Sequence, residues 1–309
     1  MRASSKPDSV DWTFDRTWPW EPRWFDTDDG RLHYVDEGPR DGSPVVLVHG
    51  NPTWGYLWRN FIPALVEAGH RVIVPDHLGF GRSDKPGRSK VYDVRRHAER
   101  FEALLESLDL RRATLVALDW GGPIGLYWAT RHPDRVAGLF LLNTFAFRPP
   151  DRVEMPLPLR VFRMPGLGEV AVKGLDLFKR GLLLRAGIVR RERITKIVRR
   201  AYLAPHPSWS SRTAILAFPR QIPTGPSGRT ADFLGEVEAG LGHFTSKPAT
   251  IVWPERNMLF GEIVLTDGWL RVFPHAELLR LPEAGQFPPE DAHEEIVPEL
   301  LKFLARSET

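Results

Sequence analysis

The sequence contains no cysteine, and this absence excludes disulfide bonds and thiolate metal sites. No run approaches the roughly eighteen consecutive apolar residues of a membrane span, so we predict none. The N-terminal stretch MRASSKPDSVDWTFDRTWPWEPRWF lacks the apolar segment of a secretory signal, which makes the cytoplasm the expected location. A net charge of only +3 argues against a dedicated nucleic-acid-binding protein.

The order of apolar runs predicts an α/β protein. Of the 309 residues, 42% are hydrophobic and 26% are charged, as in soluble chains that bury a sizeable core. From residue 30 onward, strand-like runs alternate with helix-like stretches. The strand-like runs are RLHYVDEG, SPVVLVHG, HRVIVPD, ATLVALD and VAGLFLLN. This alternation predicts a mostly parallel sheet with helices on both faces.

The alternation stops after Asn143, and the following segment has a different composition. Residues 148–235 are rich in Arg and Pro and contain helix-like pieces but no strand-like run. Strand-like and helix-like stretches return with ATIVW and continue to the C-terminus. We therefore predict a core formed by residues 1–147 and 236–309, with residues 148–235 inserted as a helical cap.

Two turns at the ends of predicted strands carry candidate catalytic groups. In ALDWGG a buried strand passes directly into a helix at Asp119, the setting in which a strained turn exposes a nucleophile. A carboxylate can displace a leaving group from an sp3 carbon and form an alkyl ester. In HGNPTW, Asn51 can donate a side-chain N–H to a leaving anion, as Trp120 can with its indole N–H. His49 and Trp54 are further candidates in the same loop, although holding the loop is the more ordinary role for His49.

These motifs resemble those of the haloalkane dehalogenases, an α/β-hydrolase family with an aspartate nucleophile. The resemblance is carried by HGNPTWGYLWRNFIPAL, PDHLGFGRSDKP and LDWGGPIGL. Segments such as LNTFAFRPP and AYLAPHPSWSSRTAILAFPRQIP are closer to the branch with the β-lactone decarboxylases of olefin synthesis. The resemblance implies an α/β-hydrolase fold with a mostly parallel eight-stranded sheet and an inserted helical cap. It also implies an apolar small-molecule substrate, no cofactor and no metal, with Asp119 as nucleophile and Asn51 and Trp120 as leaving-group ligands.

The chain departs from the family pattern at three positions that the resemblance implies are catalytic. Gln286, in EAGQFPPED, occupies the place of the catalytic histidine. Asn257 and Asn143 occupy the two places at which relatives carry the acid that supports it. His206, Phe145 and Phe147 are speculative cap-side contacts to the pocket.

Glutamine can position a water molecule but cannot accept its proton. Loss of a general base costs about 10²–10⁴ in rate, and about 10⁶ when it acts within a triad. We therefore expect hydrolysis of an Asp119 ester to stall. Three interpretations remain open: a non-hydrolytic enzyme acting on a β-lactone or similar electrophile, a dehalogenase arrested at the alkyl-enzyme ester, and a non-catalytic binder of an apolar ligand. Asp-to-Asn and His-to-Gln are also replacements that an experimenter would choose, whereas Pro254 favours natural divergence.

A basic stretch lies within the predicted cap. RAGIVRRERITKIVRR places six cations on about three predicted helical turns, with Glu192 as the only acid among them. The cations are Arg190, Arg191, Arg193, Lys196, Arg199 and Arg200. The stretch is either a dock for an acidic partner or anionic membrane or a solvated face with its apolar residues turned inward. The oligomeric state is not predicted.

Overall fold

A computed structural model describes residues 10–149 and 155–307, and an eight-stranded sheet forms its centre. The strand order is β1-β2-β4-β3-β5-β6-β7-β8, in which β2 pairs antiparallel with β1 and β4, and all other pairs are parallel. The strands are β1 Arg23–Thr27, β2 Gly30–Glu37, β3 Pro44–Val48, β4 Arg71–Pro75, β5 Ala113–Asp119, β6 Val136–Thr144, β7 Ala249–Pro254 and β8 Glu277–Leu281. The predicted mostly parallel sheet is confirmed.

Helices cover both faces of the sheet, so the central strands are buried throughout. Every residue of β5 is buried, as expected for a parallel strand between two helical layers. The helices are α1 Ile62–Glu67, α2 Val94–Ser107, α3 Gly121–Arg131, α4 Leu157–Arg163, α5 Lys196–Leu203, α6 Thr213–Gln221, α7 Arg229–Gly240, α8 Leu270–Val272, α9 Pro288–Asp291 and α10 His293–Ser307. None of the described helices is long and apolar enough to cross a membrane.

The predicted insertion lies between β6 and β7, and its described part is helical. Besides α4 to α7 it contains the π-helical turns Glu169–Gly174 and Phe178–Ala186. Its last helix, α7, runs across the predicted boundary at residue 235 and packs on core helix α3, with the rings of Phe233 and Tyr127 5.6 Å apart. The predicted ranges also include residues 1–9, 150–154 and 308–309, which lie outside the described ones.

Two predicted helices are shorter in the structure than their sequence pattern suggested. In WRNFIPALVEAG only Ile62–Glu67 is α-helical, and its Pro63 stands in the first turn, where the missing N–H is tolerated. The basic stretch breaks into a 3₁₀ turn, Arg191–Arg193, and α5, whose N-cap Thr195 accepts a hydrogen bond from the Val198 N–H. The three continuous turns predicted for that stretch are therefore wrong.

Candidate active site

Asp119 stands on a strained turn at the end of β5. Its φ of +52° lies in the left-handed region that non-glycine residues rarely adopt. Gly121 and Gly122, which follow Trp120, permit this turn because their lack of a side chain lets the backbone approach β3 and β6 closely. A Cβ on Gly121 would lie 2.5 Å from the Val48 carbonyl oxygen, and one on Gly122 would lie 1.8 Å from Thr144 Oγ1. The sequence ALDWGG therefore forms the predicted elbow.

The carboxylate of Asp119 is buried without a cationic partner. Only 4% of the residue is exposed, and the Asn51 backbone N–H donates to Oδ1 at 2.9 Å. Burial raises the pKa of Asp119 from 3.8 to about 7, against the lowering effect of the backbone N–H groups of Trp120 and Asn51. Burial therefore moves the ionisation of this carboxyl from the acidic into the neutral pH range.

The ends of β5 and β6 and the loop after β8 meet at this turn. The Thr144 hydroxyl donates to the Asp119 main-chain oxygen at 2.6 Å. Its neighbour Asn143, with φ +39°, donates from Nδ2 to the main-chain oxygen of Gln286 at 2.9 Å. The structure thus brings Asn143 and Gln286 together beside the Asp119 turn.

Gln286 is buried with its side-chain amide unused. The residue is 1% exposed, and neither Oε1 nor Nε2 has a hydrogen-bond partner among the described residues. The side-chain oxygens of Asn51 and Asn143 are likewise unpartnered within residues 10–149 and 155–307. Because buried polar atoms are usually paired, these amides are candidate partners for the polar groups of a ligand.

Asn257 does not join this group. Its Nδ2 donates to the Pro254 oxygen at 3.1 Å, and its Oδ1 accepts from the Phe260 N–H at 2.8 Å. Both polar groups of the side chain are therefore used within its own turn, and none of its hydrogen bonds reaches Gln286. The structure gives Asn257 a local structural role where the sequence suggested a catalytic position.

Trp120 and Asn51 both contribute to the surroundings of Asp119. The Trp120 ring packs against Phe145 and Phe218, with centroids 5.0 and 5.3 Å away, and its indole N–H has no partner among the described hydrogen bonds. The Asn51 Nδ2 makes only a long contact of 3.5 Å to the Ile215 oxygen. Two N–H donors thus remain available at the turn, and their role as ligands of a leaving anion stays a prediction.

His49 and Trp54, both predicted as substrate contacts, use their polar groups in hydrogen bonds inside the protein. His49 Nδ1 hydrogen-bonds the Gly50 oxygen at 2.9 Å, and Nε2 accepts from the His77 N–H at 3.0 Å. Burial lowers the pKa of His49, which keeps the ring neutral. The Trp54 indole N–H donates to the Ala201 oxygen at 3.1 Å, and its ring packs on Trp18. Neither side chain has a polar group left for a substrate.

The three residues predicted as speculative cap-side contacts lie at different places in the structure. Phe145 lies at the site, where it contacts Trp120. Phe147 packs instead on Trp269, with ring centroids 4.6 Å apart. His206 is buried and hydrogen-bonds the Gly79 oxygen through Nε2 at 2.9 Å, so it joins the cap to the core. Burial holds the pKa of His206 well below its usual value, and the ring stays neutral.

Two acids beyond Gln286 hold its loop, a role that the sequence reasoning missed. Glu290 receives two hydrogen bonds from Arg59, at 2.5 and 2.8 Å, and one from the Tyr202 hydroxyl of the cap. Asp291 Oδ2 accepts from the Gly285 N–H at 2.8 Å, and its Oδ1 accepts from two cap backbone N–H groups. The motif PPED was the available signal. Phe218 and Thr144 were also missed, and only the fold brings them to Asp119.

The basic stretch forms ion pairs with the core. Arg190 pairs with Glu295 at 3.0 Å and Arg193 with Glu294 at 2.8 Å, both on α10. Arg200 pairs with Asp15 at 3.0 Å. Half of the predicted cationic face therefore bonds the cap to the core.

A metal-capable cluster lies away from the nucleophile. Among the described residues, Glu102, Glu106 and His132 bring ligand atoms within 4.8 Å of one another. His132 follows the C-terminal end of α3, whereas Asp119 precedes its start. Glu102 is already bonded to Arg131 at 2.8 Å. The cluster is therefore not part of the Asp119 site.

The geometry agrees with the comparisons to known proteins. The α/β-hydrolase fold family model matches residues 43–292. The cis-3-alkyl-4-alkyloxetan-2-one decarboxylase of Shewanella oneidensis is 37% identical over 94% of this chain and 90% of its own. A haloalkane dehalogenase of Mycobacterium marinum is 36% identical over 90% of each chain. The crystal structure of the haloalkane dehalogenase DbeA from Bradyrhizobium elkani matches with a TM-score of 0.83 and 26% identity, covering 93% of this chain and 98% of that one. The chain therefore belongs to the α/β-hydrolase fold family, among the relatives of haloalkane dehalogenases and oxetanone decarboxylases.

Proposed function

We propose that the protein is a non-hydrolytic enzyme that converts 3,4-dialkyl β-lactones into an alkene and CO2, with Asp119 as the nucleophile. The observation that carries this proposal is the pairing of a buried carboxylate on a strained turn with Gln286, whose amide cannot act as a base. The oxetanone decarboxylase relatives supply the substrate class.

In the first step, an Asp119 oxygen attacks the saturated ring carbon that is bonded to the ring oxygen. A new C–O bond forms to Asp119 and the ring C–O bond breaks, which leaves an alkyl ester with a free β-carboxylate. The unpartnered N–H of Trp120 and the long-contact N–H of Asn51 would hold this carboxylate as it leaves. No proton is transferred.

In the second step, the bond between the carboxylate carbon and the adjacent ring carbon breaks. Its electron pair forms the alkene, the ester C–O bond breaks, and Asp119 is restored as a carboxylate. Inversion at the first step and antiperiplanar loss at the second convert a cis lactone into a cis alkene. Neither step requires an activated water molecule, so the reaction can proceed although the side chain at position 286 cannot act as a base.

The same site would stall on substrates whose ester lacks a β-carboxylate. A haloalkane can alkylate Asp119, but release of the ester then requires a hydroxide that Gln286 cannot generate. This is the second candidate, a dehalogenase arrested at the alkyl-enzyme ester, and the dehalogenase relatives favour it. The two candidates share the nucleophile and differ in whether turnover follows.

The decisive experiment is turnover of a cis-dialkyl β-lactone in water labelled with oxygen-18. We expect cis alkene and CO2 over many turnovers, with no label in the Asp119 carboxylate by peptide mass spectrometry. A β-hydroxy acid carrying the label would show hydrolysis and contradict the proposal. The matched control is Asp119→Asn, which should lose turnover while keeping affinity for the lactone.

A further inference from the structure

The described surface of the cap exposes an unusual number of large apolar side chains. Of the twelve large hydrophobic residues that are exposed, seven lie between residues 157 and 209. We define the cap patch by six of them: Met164, Leu167, Val170, Leu175, Leu177 and Trp209. Leu167 and Leu175 are 58% and 59% exposed. Single exposed apolar residues are ordinary, whereas a contiguous patch marks an interaction surface.

Backbone hydrogen bonds show that the cap patch is contiguous. The Leu175 N–H donates to the Val170 oxygen at 2.8 Å, which brings these two side chains onto the same turn. The Gly168 N–H donates to the Met164 oxygen at 2.8 Å. The Trp209 ring lies beside Gly174, where an added Cβ would be 3.4 Å from Cζ3. The patch therefore lies along one short segment of the cap, residues 164–177, with Trp209 packed beside it.

The charge around the cap patch is strongly positive. Residues 157–185 contain six Lys and Arg against two acids, a net +4. The whole chain carries a formal net charge of +3, so the residues outside 157–185 together carry −1. Both acids are already engaged: Glu169 pairs with Arg220 at 2.7 Å, and buried Asp176 lies 3.4 Å from Lys179.

A cationic cleft borders the cap patch and extends the positive surface. The cleft has a volume of about 1060 Å³ and is lined by six cations and three acids. Lys173, one of these cations, also lies over the Trp209 ring at 5.2 Å, so cleft and patch share an edge. Leu216 and Ala217 of α6 form part of the cleft wall.

We propose that the cap patch and the adjoining cleft dock the protein on an anionic phospholipid bilayer. Leucine and tryptophan side chains surrounded by Lys and Arg are the composition that binds the interface of such a membrane. A second copy of the chain is a poorer occupant, because a symmetric dimer would place two +4 segments against each other. The proposal does not depend on the lactone chemistry, since vesicle binding and turnover are measured separately.

The test is co-sedimentation of the full chain with vesicles of phosphatidylglycerol and phosphatidylcholine. We expect binding at low salt, a large decrease at high salt because charges are screened, and little binding to pure phosphatidylcholine. The double variant Leu167→Ser/Leu175→Ser should lower the partition coefficient at least tenfold. Ile263→Ser, which removes a side chain of similar exposure outside the cap (60%), should bind like the wild type.

Charge and depth are tested by separate variants. Arg160→Glu/Arg185→Glu should also lower binding at least tenfold, whereas Arg111→Glu, an exposed position on the core, should not. Quenching by brominated lipid should be weaker in Trp209→Phe than in the wild type. All variants should keep the wild-type thermal unfolding midpoint.

Three results would overturn the proposal. The first is no sedimentation of the wild type with anionic vesicles at low salt. The second is binding that the cap variants leave unchanged or that the core controls reduce equally. The third is a wild-type protein that is a dimer in light scattering and does not bind vesicles, while Leu167→Ser/Leu175→Ser is a monomer. This result would assign the patch to a second copy of the chain.

Discussion

Replacing Asp119 by Asn should stabilise the protein, and the gain should grow with pH. The carboxyl is buried, and its pKa rises from 3.8 in the unfolded chain to about 7 in the folded one. Below about pH 4 the carboxyl is protonated in both the folded and the unfolded chain, so its ionisation does not lower the free energy of unfolding. As the pH rises toward 7, the unfolded chain loses its proton first and folding becomes less favourable. Above pH 7 the full cost is present and stays constant.

The magnitude follows from the difference between the two pKa values. About three pH units at about 1.4 kcal/mol each give a cost of about 4 kcal/mol above pH 7. Asparagine at this position is neutral at all pH values, and its oxygen can still accept from the Asn51 N–H. Losing the second backbone hydrogen bond, from Trp120, subtracts about 1 kcal/mol. The expected net gain is about 3 kcal/mol at pH 8, falling to about zero or slightly below near pH 4.

Urea unfolding of wild type and Asp119→Asn, followed by circular dichroism between pH 5 and 8, measures this difference directly. The variant should show a higher midpoint at pH 8 and a nearly equal one at pH 5. A difference that does not change with pH would refute the reasoning, because it would mean that Asp119 ionises with the same pKa in both states. An equal change in a control such as Asp41→Asn, at an exposed surface position, would assign the effect to surface charge.

Three further predictions address the chemistry and the loop. Turnover of a β-lactone should rise with pH through an apparent pKa near 7, since only the ionised Asp119 attacks; a flat profile between pH 6 and 9 in initial-rate assays contradicts this. Incubation with a bromoalkane should give a stoichiometric adduct on Asp119 by intact-protein mass spectrometry, and Gln286→His/Asn143→Asp should speed its loss by at least about 100-fold; an equally persistent adduct argues against a base at that position. Glu290→Gln should lower the free energy of unfolding by about 3 kcal/mol, because Arg59 would remain buried without its anion; a change below 1 kcal/mol in urea unfolding would show that the pair contributes little.

Much of the fold follows from local patterns in the sequence. The apolar run ending at Asp119 and the glycines after it specify a buried strand and a tight turn, and both are present. The resemblance implies Asn143 as a catalytic position, and the structure places it near Asp119 because β5 and β6 are parallel neighbours that end at the same edge of the sheet. The strand and the turn are predictable because each depends on the periodicity or steric needs of a short segment.

Side-chain roles that depend on distant partners were less predictable. The loop HGNPTW made His49 and Trp54 candidates for substrate contact, but it could not show that His77 and Ala201, far away in sequence, occupy their hydrogen-bonding groups. The basic stretch looked unpaired because its partners on α10 are about 100 residues away. Only the tertiary structure determines such pairs.

Residues 285 and 286 are held through their main chain. Asp291 receives the Gly285 N–H, and Asn143 donates to the Gln286 oxygen, while the Gln286 side chain makes no hydrogen bond among the described residues. The side chain at position 286 can therefore be exchanged between an amide, an imidazole and others of similar size without altering the backbone that carries it. A scaffold built in this way lets single substitutions redirect the second half of a reaction while the first half, and the fold, stay as they were.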